Sequence, residues 1–563
     1  MERDELNIMI GGAAGQGLDT IGQILSKSLV REGYFIAVTQ RYLSRIRGGH
    51  NTFTIRASAN EVNASKEQID ILIALNEETI NIHRNELASG SVVLLDKALK
   101  IEEKDFLSIP LKELTAKKYY NIAALGIVCS IIGLDIHTVE STLDYFFGKK
   151  NEDDAKENLK ALASSYEWAL KNSQDNYKLK RIDRPVQRLM MNGNEAIALG
   201  AMSSGLRFAS FYPMSPSTSI MINLAANAEK MGMIVEQAED EISAINMALG
   251  ASFAGAPAMV STSGGGFALM IEGVSLSAMT ETPIVIALAQ RPGPATGLPT
   301  GTEQGDLNLA LYAGHGEFPR AIFCPGSIEE CFYLTRKAFE QAEKNQGPVF
   351  ILTDQYLADS YRAVDPFDIE SLPPVTAGES KMDGSLYERY AITPGGISPR
   401  LLPGMSKGLV IADSDEHNAI GHITEDPYLR VQMVNKRLKK AEGIKNDVIA
   451  PERLGDEDPE ILLVSWGSTR GAVIEAISMI KALNHTAGGL HFSQVWPIIP
   501  EQFEGILEGA GEVICVEGNA TGQFAGLLRK ETGFSVHKKL LRYDGLPITP
   551  EFIMRKSGLI NQS

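Results

Sequence analysis

At three places in the sequence, an apolar strand passes through a turn of small residues directly into an amphipathic helix. These places are residues 6–33, 460–483 and 511–531. This arrangement is the βα unit of a doubly wound α/β domain, whose parallel strands need a crossover connection. Other stretches of strand length are FIAVTQ, TFTIRAS, DILIALN, SVVLLD, APAMVST, TPIVIALAQ, RAIFC and PVFILTD. The pattern predicts an α/β protein with parallel sheets.

Composition along the chain divides it into three folded domains and one connector. A length of 563 residues is enough for several domains of about 150 residues each. We expect a first domain with its linker at 1–185, a second domain at 190–365 and a third at 456–563. Residues 366–455, rich in Pro and Gly at the start, are predicted to form an ordered connector that ends in a solvated helix.

The overall charge argues against nucleic-acid and membrane partners. The chain carries 53 Lys and Arg against 70 Asp and Glu, a formal charge of -17, which repels phosphate backbones and anionic lipids. The sequence has no signal-peptide core and no apolar span of about 18 residues. We therefore expect a cytoplasmic protein that binds neither nucleic acid nor membranes.

The sequence does not predict a metal or cluster site in this chain. Its four cysteines are too few and too scattered for a disulfide framework, and none forms a CxxC pair. His417 and His422 are five residues apart, the wrong spacing for two ligands on one helix face. His315 is interpreted as structural. Any iron–sulfur chemistry must be supplied by another chain.

The first domain contains two candidate sites for an anionic ligand. The turn GGAAGQG, which includes Gly15, Gln16 and Gly17, leads into a helix N-terminus that could hold a phosphate. Its spacing is not GxGxxG, and no acidic residue follows about 20 residues later, so nicotinamide binding is disfavoured. The segment RYLSRIRGGH is basic in an otherwise acidic protein. It is either a solvated loop or a site for a polyphosphate such as coenzyme A.

In the second domain, polar residues follow the predicted strands. An acidic run at 236–241 precedes a helix of small residues and the sequence STSGGG. These acids either compensate the helix dipole or place a carboxylate beside a Gly-lined cavity. The segment FYPMSPSTS, with Ser215 and Thr218, presents hydroxyl groups in a rigid turn. Arg291 ends a buried strand, where a guanidinium suits a carboxylate substrate.

The order of these motifs resembles the 2-oxoacid:ferredoxin oxidoreductases, specifically an α subunit with the γ domain fused at its N-terminus. GGAAGQG and SRIRGGHNTF resemble the γ domain, and VSWGST, VEGNATGQFAGLL and YDGLPITPE resemble the transketolase C-terminal-like domain. The pyrimidine-type thiamine diphosphate domain is matched by YPMSPSTS, EDEISAINMALGASFAGA, TSGGGFALMIEG, QRPGPATGLPT and EQGDLNLALYAGHGEFPR. The motifs TGLPT, GHGEFPR and TEDP are similar to 2-oxoglutarate-type α subunits.

The resemblance implies a thiamine diphosphate site shared between two chains. It implies a β subunit that holds the diphosphate, Mg2+ and a [4Fe-4S] cluster, and the GDG diphosphate motif is missing from this sequence. It assigns Glu241, with Glu239 as the alternative, to the aminopyrimidine nitrogen N1′. It assigns Ser215, Thr218 and Arg291 to the 2-oxoacid. Coenzyme A, the co-substrate, would contact Gly15, Gln16, Gly17, Ser44, Arg45 and Arg47.

The expected function is coenzyme A-dependent oxidative decarboxylation of a 2-oxoacid, with 2-oxoglutarate favoured. The expected products are acyl-CoA, CO2 and reduced ferredoxin, and the expected assembly is an (αβ)2 complex. One alternative is a non-catalytic scaffold or coenzyme A-binding subunit, and another is specificity for pyruvate or branched 2-oxoacids. A stand-alone thiamine enzyme would need the diphosphate motif in this chain.

Overall fold

The computed structural model describes residues 2–43, 49–103, 105–148, 152–173, 177–375, 387–405 and 408–559. The chain forms two compact units. The first comprises Met1–Asn192, Asp359–Phe367 and Thr549–Glu551, and the second comprises Gly193–Ala358, Asp368–Ile548 and Phe552–Ser563.

The N-terminal third contains strands and helices in the predicted alternation. They are β1 (Glu5–Ala13), α1 (Leu18–Arg31), β2 (Phe35–Arg41), β3 (His50–Ser58), β4 (Ile69–Ala74), α2 (Glu77–His83), β5 (Leu87–Asp96), β6 (Phe106–Ile109), α3 (Leu111–Leu114), α4 (Tyr120–Ile132), α5 (Ile136–Phe147), α6 (Glu152–Asn172) and β7 (Leu189–Met191).

The middle of the chain continues with short connections. Its elements are α7 (Gly193–Ser203), β8 (Phe208–Phe211), α8 (Thr218–Met231), β9 (Ile234–Gln237), α9 (Glu241–Phe253), β10 (Ala258–Thr262), α10 (Gly264–Met279), β11 (Ile284–Gln290), α11 (Leu307–Leu311), β12 (Ala321–Phe323), α12 (Ile328–Asn345), β13 (Pro348–Asp354), α13 (Gln355–Asp359) and β14 (Arg362–Val364).

The C-terminal part begins with the helix predicted at the end of the connector. Its elements are α14 (Pro427–Asn446), β15 (Glu452–Gly455), β16 (Ile461–Trp466), α15 (Arg470–Ala482), β17 (Ala487–Phe492), β18 (Gln494–Trp496), α16 (Glu504–Gly509), β19 (Glu512–Glu517), α17 (Gln523–Thr532), β20 (Lys538–Leu541) and α18 (Pro550–Ser557).

The first unit is built on an eight-stranded mixed sheet of order β6-β5-β4-β1-β3-β2-β14-β7. Strands β1, β4 and β5 are parallel, as predicted, and β6 extends them in parallel. Strand β3, in contrast, runs antiparallel to both β1 and β2. Strand β2 ends at Arg41 and β3 begins at His50. That connection is shorter than the dozen or more residues that a parallel crossover needs. This sheet is therefore only partly of the doubly wound type.

The second unit contains a seven-stranded sheet of order β18-β12-β13-β11-β10-β8-β9, parallel except for β18. Strand β13 illustrates why the sheet is buried on both faces, because every residue of PVFILTD is buried. From β8 the chain moves outward to β9 and then returns to the other side of β8 as β10. The sheet therefore has a topological switch point between β8 and β10, where ligands bind at the carboxyl ends of the strands.

A five-stranded sheet of order β15-β17-β16-β19-β20 completes the second unit. Strand β18 pairs with β12 of the seven-stranded sheet, and the buried core includes residues of both sheets, such as Phe350 and Trp466. Connector residue Arg389 is buried and donates to Gln346 over 2.9 Å. This hydrogen bond ties Arg389 of the connector to the end of α12.

Candidate active site

The loops that follow β8, β9, β10 and β11 lie at one edge of the seven-stranded sheet, because these strands are parallel. Ser215 lies in the loop after β8, and Glu241 begins the helix after β9. The three glycines at Gly264–Gly266 follow β10, and Arg291 directly follows β11. The switch point thus brings together the residues that the sequence singled out in the second domain.

The carboxylate of Glu241 is buried and does not cap its own helix. Asp240 caps α9 by accepting the Ser243 N–H over 2.7 Å, so Glu241 is not needed as a cap. Glu241 is 3% exposed, and its Oε1 has no hydrogen-bond partner among the described residues. A buried polar atom without a partner costs free energy. A ligand that donates a hydrogen bond here would remove that cost, whereas the alternative carboxylate, Glu239, is exposed.

The glycine turn after β10 leaves room for this carboxylate. A Cβ added to Gly266 would lie 2.3 Å from Oε1 of Glu241 and 2.3 Å from Oγ1 of Thr262. No real Cβ makes such contacts, so the side chains of Glu241 and Thr262 occupy space that only a glycine permits. The first turn of α10 also presents N–H groups that have no partner within the helix. The site combines a buried carboxylate with a helix N-terminus.

Ser215 and Arg291 are in direct contact. The guanidinium of Arg291 donates to the backbone carbonyl of Ser215 over 2.8 Å, and the Ser215–Pro216 peptide bond is cis. Burial lowers the pKa of Arg291, while the charge of Asp306 opposes this. The hydroxyl of Ser215 is not used in the contact, and the remaining guanidinium N–H groups can face an anion.

Thr218 directly follows this loop and is less exposed than Ser215. It is the first residue of α8 and is half-buried. Buried Asn194 holds this loop by donating to the carbonyl of Pro216 over 2.8 Å and to Oγ of Ser219 over 2.7 Å. The structure therefore places Thr218 on a fixed turn beside Ser215, without a direct contact that would assign its role.

The sequence analysis missed Asp306, which lies in the loop after β11. Burial raises its pKa to about 6, although the charge of Arg291 opposes the shift. Glu303 in the same loop also has a raised pKa, because of burial and then the charge of Asp306. Gln304 anchors this loop to the five-stranded sheet by donating to the carbonyl of Trp466 over 2.8 Å. The sequence did carry a signal for this residue, because Glu303 and Asp306 follow Arg291 in the loop after the strand.

The glycine turn of the first unit has the predicted form. Gly15 and Gly17 have φ values of 91° and 78°, which favour glycine. Oε1 of Gln16 accepts the Ala13 N–H over 2.6 Å, and its amide donates to the carbonyl of Leu75 over 3.3 Å. The side chain of Gln16 thus closes the turn. Among the described residues, no side chain caps the N-terminus of α1. A helix N-terminus of this kind can bind an anion.

The basic segment cannot be placed beside this turn. Ser44, Arg45 and Arg47 lie outside the described residues.

At the start of β3, His50 forms a chain that the sequence analysis missed. Its Nε2 lies 2.8 Å from Nε2 of His83, whose Nδ1 lies 2.7 Å from the Glu86 carboxylate.

The remaining histidines and acids do not form a metal site. Nδ1 of His315 lies 3.0 Å from Oγ of Ser275, and buried His417 stacks on Tyr390 with ring centroids 3.9 Å apart. Across the described ranges, no three His, Cys, Asp or Glu side chains are grouped to hold a metal ion. In the same ranges, no helix has the length and apolar character of a membrane span.

Comparison with known proteins agrees with this geometry. The family described as pyruvate flavodoxin/ferredoxin oxidoreductase, thiamine diphosphate-binding, matches residues 199–436, and pyruvate ferredoxin/flavodoxin oxidoreductase matches residues 7–168. The 2-oxoacid:ferredoxin oxidoreductase subunit alpha of a Sulfolobus species is 31% identical over 96% of this chain and 95% of its own length. The chain belongs to the family of 2-oxoacid:ferredoxin oxidoreductase α subunits.

Other members of the family extend the match. The 2-oxoglutarate oxidoreductase subunit KorA of Mycobacterium tuberculosis is 27% identical over 93% of this chain and 86% of its own length. The solved 2-oxoglutarate:ferredoxin oxidoreductase of Magnetococcus marinus, with 2-oxoglutarate, coenzyme A and succinyl-CoA bound, superposes with a TM-score of 0.93. Its identity is 29%, and the match covers 99% of this chain and 100% of that chain. The resemblance found in the sequence is confirmed, and an α subunit implies a partner subunit.

Proposed function

We propose that this α subunit, together with a β subunit, converts a 2-oxoacid, coenzyme A and oxidised ferredoxin into acyl-CoA, CO2 and reduced ferredoxin. The preferred substrate is 2-oxoglutarate, which the solved Magnetococcus relative contains and for which the Mycobacterium relative is named. One observation carries the proposal: at the switch point of a thiamine diphosphate-binding domain, Glu241 presents a buried carboxylate oxygen that has no hydrogen-bond partner among the described residues.

The residues at this site fit the aminopyrimidine end of thiamine diphosphate. Oε1 of Glu241 would accept a hydrogen bond from, or share a proton with, the ring nitrogen N1′, and the Gly266 turn supplies the space. The cofactor, when bound, supplies the carbon nucleophile and electron sink that decarboxylation requires. The contribution of Glu241 is to hold one proton at N1′, a role in which a carboxylate contributes about 10² to 10⁴ in rate.

Arg291 and Ser215 are proposed to bind the 2-oxoacid. The contact to the Ser215 carbonyl fixes one side of the guanidinium, and its other N–H groups can bind the substrate carboxylate in bidentate fashion. The Ser215 hydroxyl is free to donate to the 2-oxo group. Thr218, on the same loop, is the third proposed substrate residue.

Coenzyme A is proposed to bind at the glycine turn of the first unit. Gly15 and Gly17 adopt positive φ values at the start of α1, and Gln16 keeps the turn closed. Phosphate binding at such a helix N-terminus is general physical chemistry. Ser44, Arg45 and Arg47, which lie outside the described residues, are proposed to add positive charge and hydrogen-bond donors.

The partner is proposed to be a β subunit that holds the diphosphate, Mg2+ and a [4Fe-4S] cluster, in an (αβ)2 complex located in the cytoplasm. The cysteines of this chain support this division. All four are free and buried, namely Cys129, Cys324, Cys331 and Cys515. Burial raises the pKa of each thiol. Among the described residues, no three His, Cys, Asp or Glu side chains are grouped to hold a metal ion.

The proposal is tested by co-expressing the α subunit with its β partner and measuring reduction of ferredoxin or a viologen dye. Reduction should require both a 2-oxoacid and coenzyme A, and kcat/KM should be highest for 2-oxoglutarate among 2-oxoglutarate, pyruvate and branched 2-oxoacids. Glu241→Gln should lower kcat by about 10² or more, whereas the exposed control Glu239→Gln should not. A complex that is unaffected by Glu241→Gln, or that reduces no acceptor, would contradict the proposal and favour a non-catalytic subunit.

A further inference from the structure

His50 lies against the glycine turn of the first unit. It is the first residue of β3 and pairs with Ala13, the last residue of β1. A Cβ added to Gly11, the first glycine of the sequence GGAAGQG, would lie 3.3 Å from Cε1 of the His50 ring. The imidazole therefore packs beside the turn at which coenzyme A is proposed to bind.

Helix α2 places His83 beside this ring. Asn76 caps the helix by accepting the Thr79 N–H over 3.0 Å. Thr79 and His83 are four residues apart, so they lie on the same face of the helix, and both are buried. The Cβ added to Gly11 would lie 2.4 Å from Cγ2 of Thr79. This face of α2 thus packs on the same strand end as His50, and the centroids of the two imidazole rings are 4.9 Å apart.

The hydrogen bonds assign the protons of the two rings. An ionised Glu86 carboxylate can only accept, so Nδ1 of His83 carries a proton and donates to it over 2.7 Å. In neutral His83 the other nitrogen, Nε2, is then an acceptor, and it lies 2.8 Å from Nε2 of His50. His50 must supply the proton of that bond from its own Nε2. The second ring nitrogen of neutral His50, Nδ1, is consequently a hydrogen-bond acceptor.

This acceptor is buried and has no hydrogen-bond partner among the described residues. Burial and then the charge of His83 lower the pKa of His50. Arg41 acts in the same direction, and Glu78 and Glu86 oppose it. His50 is therefore mainly neutral at pH 7.5. A buried acceptor without a partner costs free energy, and a ligand with an N–H, O–H or S–H donor would remove that cost.

We propose that His50 binds the pantetheine arm of coenzyme A: its Nδ1 accepts a hydrogen bond from a hydroxyl, amide or thiol group of that arm. His83 and Glu86 are positioning residues, because they keep the proton of His50 on Nε2 and leave Nδ1 to accept. The phosphates of coenzyme A are anionic acceptors, which suit a helix N-terminus and not this nitrogen. The inference rests on the proposed function, since it requires coenzyme A at the glycine turn.

The experiment measures Kd at pH 7.5 by isothermal titration calorimetry of the αβ complex. The two ligands are coenzyme A and adenosine 3′,5′-bisphosphate, which lacks the arm. Two variants divide the functions of the ring between them. Gln at position 50 carries its amide near the place of Nε2 and has no acceptor at the place of Nδ1, whereas Asn carries its amide near the place of Nδ1.

His50→Gln should weaken coenzyme A binding by about tenfold, because the donor of the arm loses its partner. Binding of adenosine 3′,5′-bisphosphate should stay within about twofold of wild type, which also shows that the site is folded. His50→Asn should bind coenzyme A at least about threefold more tightly than His50→Gln does, since it restores an acceptor.

A second pair of variants tests the positioning role. Glu86→Gln removes the carboxylate that can only accept, so His83 can carry its proton on Nε2 and His50 then presents an N–H at Nδ1. This variant should weaken coenzyme A binding by about threefold or more. The control Glu78→Gln removes an exposed acid of α2 that is outside the hydrogen-bonded chain, and it should not weaken binding.

The inference is overturned if His50→Gln binds coenzyme A as tightly as wild type, or if it weakens both ligands equally, since His50 would then serve the phosphates or the fold. Equal Kd values for Glu86→Gln and Glu78→Gln would overturn the positioning role. Normal turnover together with any of these results leaves the proposed function intact. The expected Kd differences in a complex that turns over no 2-oxoacid would contradict the proposed function alone, whereas a complex that binds no coenzyme A contradicts both.

Discussion

Gly266 lies directly against the carboxylate of Glu241, so close that a Cβ at this position would be 2.3 Å from Oε1. The neighbouring Gly265 is exposed, and the nearest atom to its added Cβ would be the Ala295 carbonyl at 3.6 Å. Two adjacent glycines of one helix turn therefore differ sharply in what they tolerate. This contrast makes a matched pair of substitutions.

The first prediction concerns this pair. Gly266→Ala should displace the Glu241 carboxylate and lower kcat by about 10² or more, because the proton-holding group would no longer be positioned. Gly265→Ala should retain near wild-type kcat, because its added Cβ meets no atom closer than 3.6 Å. The two variants gain the same helix propensity, so they are a matched pair. The measurements are kcat from steady-state kinetics of the two αβ complexes and their secondary structure from far-UV circular dichroism. Equal activity of the two variants would show that Glu241 does not need this space.

The second prediction concerns Arg291. Arg291→Lys keeps the charge but cannot hold the Ser215 carbonyl and a substrate carboxylate with one planar group, so KM for the 2-oxoacid should rise by about tenfold or more. Arg291→Ala should raise it further, and kcat should change less than KM. Arg207 is the control, since it donates to the Met231 carbonyl over 2.7 Å at the other end of β8. A KM that rises as much in Arg207→Lys would point to a general structural effect.

Much of this site could be anticipated because strand ends and their loops leave a local signal. The strand preceding Arg291 and the helix beginning at Glu241 are visible as apolar runs with polar ends. Burial is a tertiary property and is not visible in this way. Asp306 stands in a polar loop that looks solvated in sequence, and its packing against Gly264 leaves the residue half-buried and its Oδ2 atom buried.

The same distinction applies to the fold. The long apolar strands, such as β11 and β13, were predicted, whereas the three-residue strand β18 was not. Its pairing with β12 joins residues distant in sequence, and no local pattern encodes it. The antiparallel β3, in contrast, could have been inferred. Only the segment from Tyr42 to Gly49 separates it from β2, which is too short for a crossover helix.

The third prediction concerns a buried ion cluster. It joins α14 to Glu281, which lies just after the end of α10. Glu281 accepts from Lys436 over 2.6 Å and pairs with Lys440 at 2.5 Å, and all three residues are buried. Burial alone would raise the pKa of Glu281, yet the charges of Lys440 and Lys436 lower it to about 2. Glu281→Gln would leave two buried ammonium groups without a counter-charge. Breaking such a cluster typically costs about 3–5 kcal/mol.

The measurement for this variant is the midpoint of urea unfolding followed by fluorescence. Glu340→Gln is the control, because the pair of Glu340 with Lys337 is solvent-exposed and should contribute little. A Glu281→Gln protein as stable as the control would show that the lysines find other partners or lose their protons at small cost.

The last prediction concerns acid stability and His491. This residue is fully buried on β17, its Nδ1 lies 3.0 Å from Oγ of Ser465, and burial lowers its pKa to about 3. A histidine with a lowered native pKa stays neutral while the unfolded chain takes up a proton, so stability is lost as the pH falls from about 6.5 toward 3. The loss approaches about 1.4 kcal/mol per pH unit in that window. His491→Gln should therefore lower the thermal midpoint at pH 7.5 but reduce its further fall between pH 6.5 and 5, relative to wild type. The control is His485→Gln, at a half-exposed position before the same strand, which should keep the wild-type slope of thermal midpoint against pH. An unchanged slope in His491→Gln would mean that His491 is protonated in the folded protein.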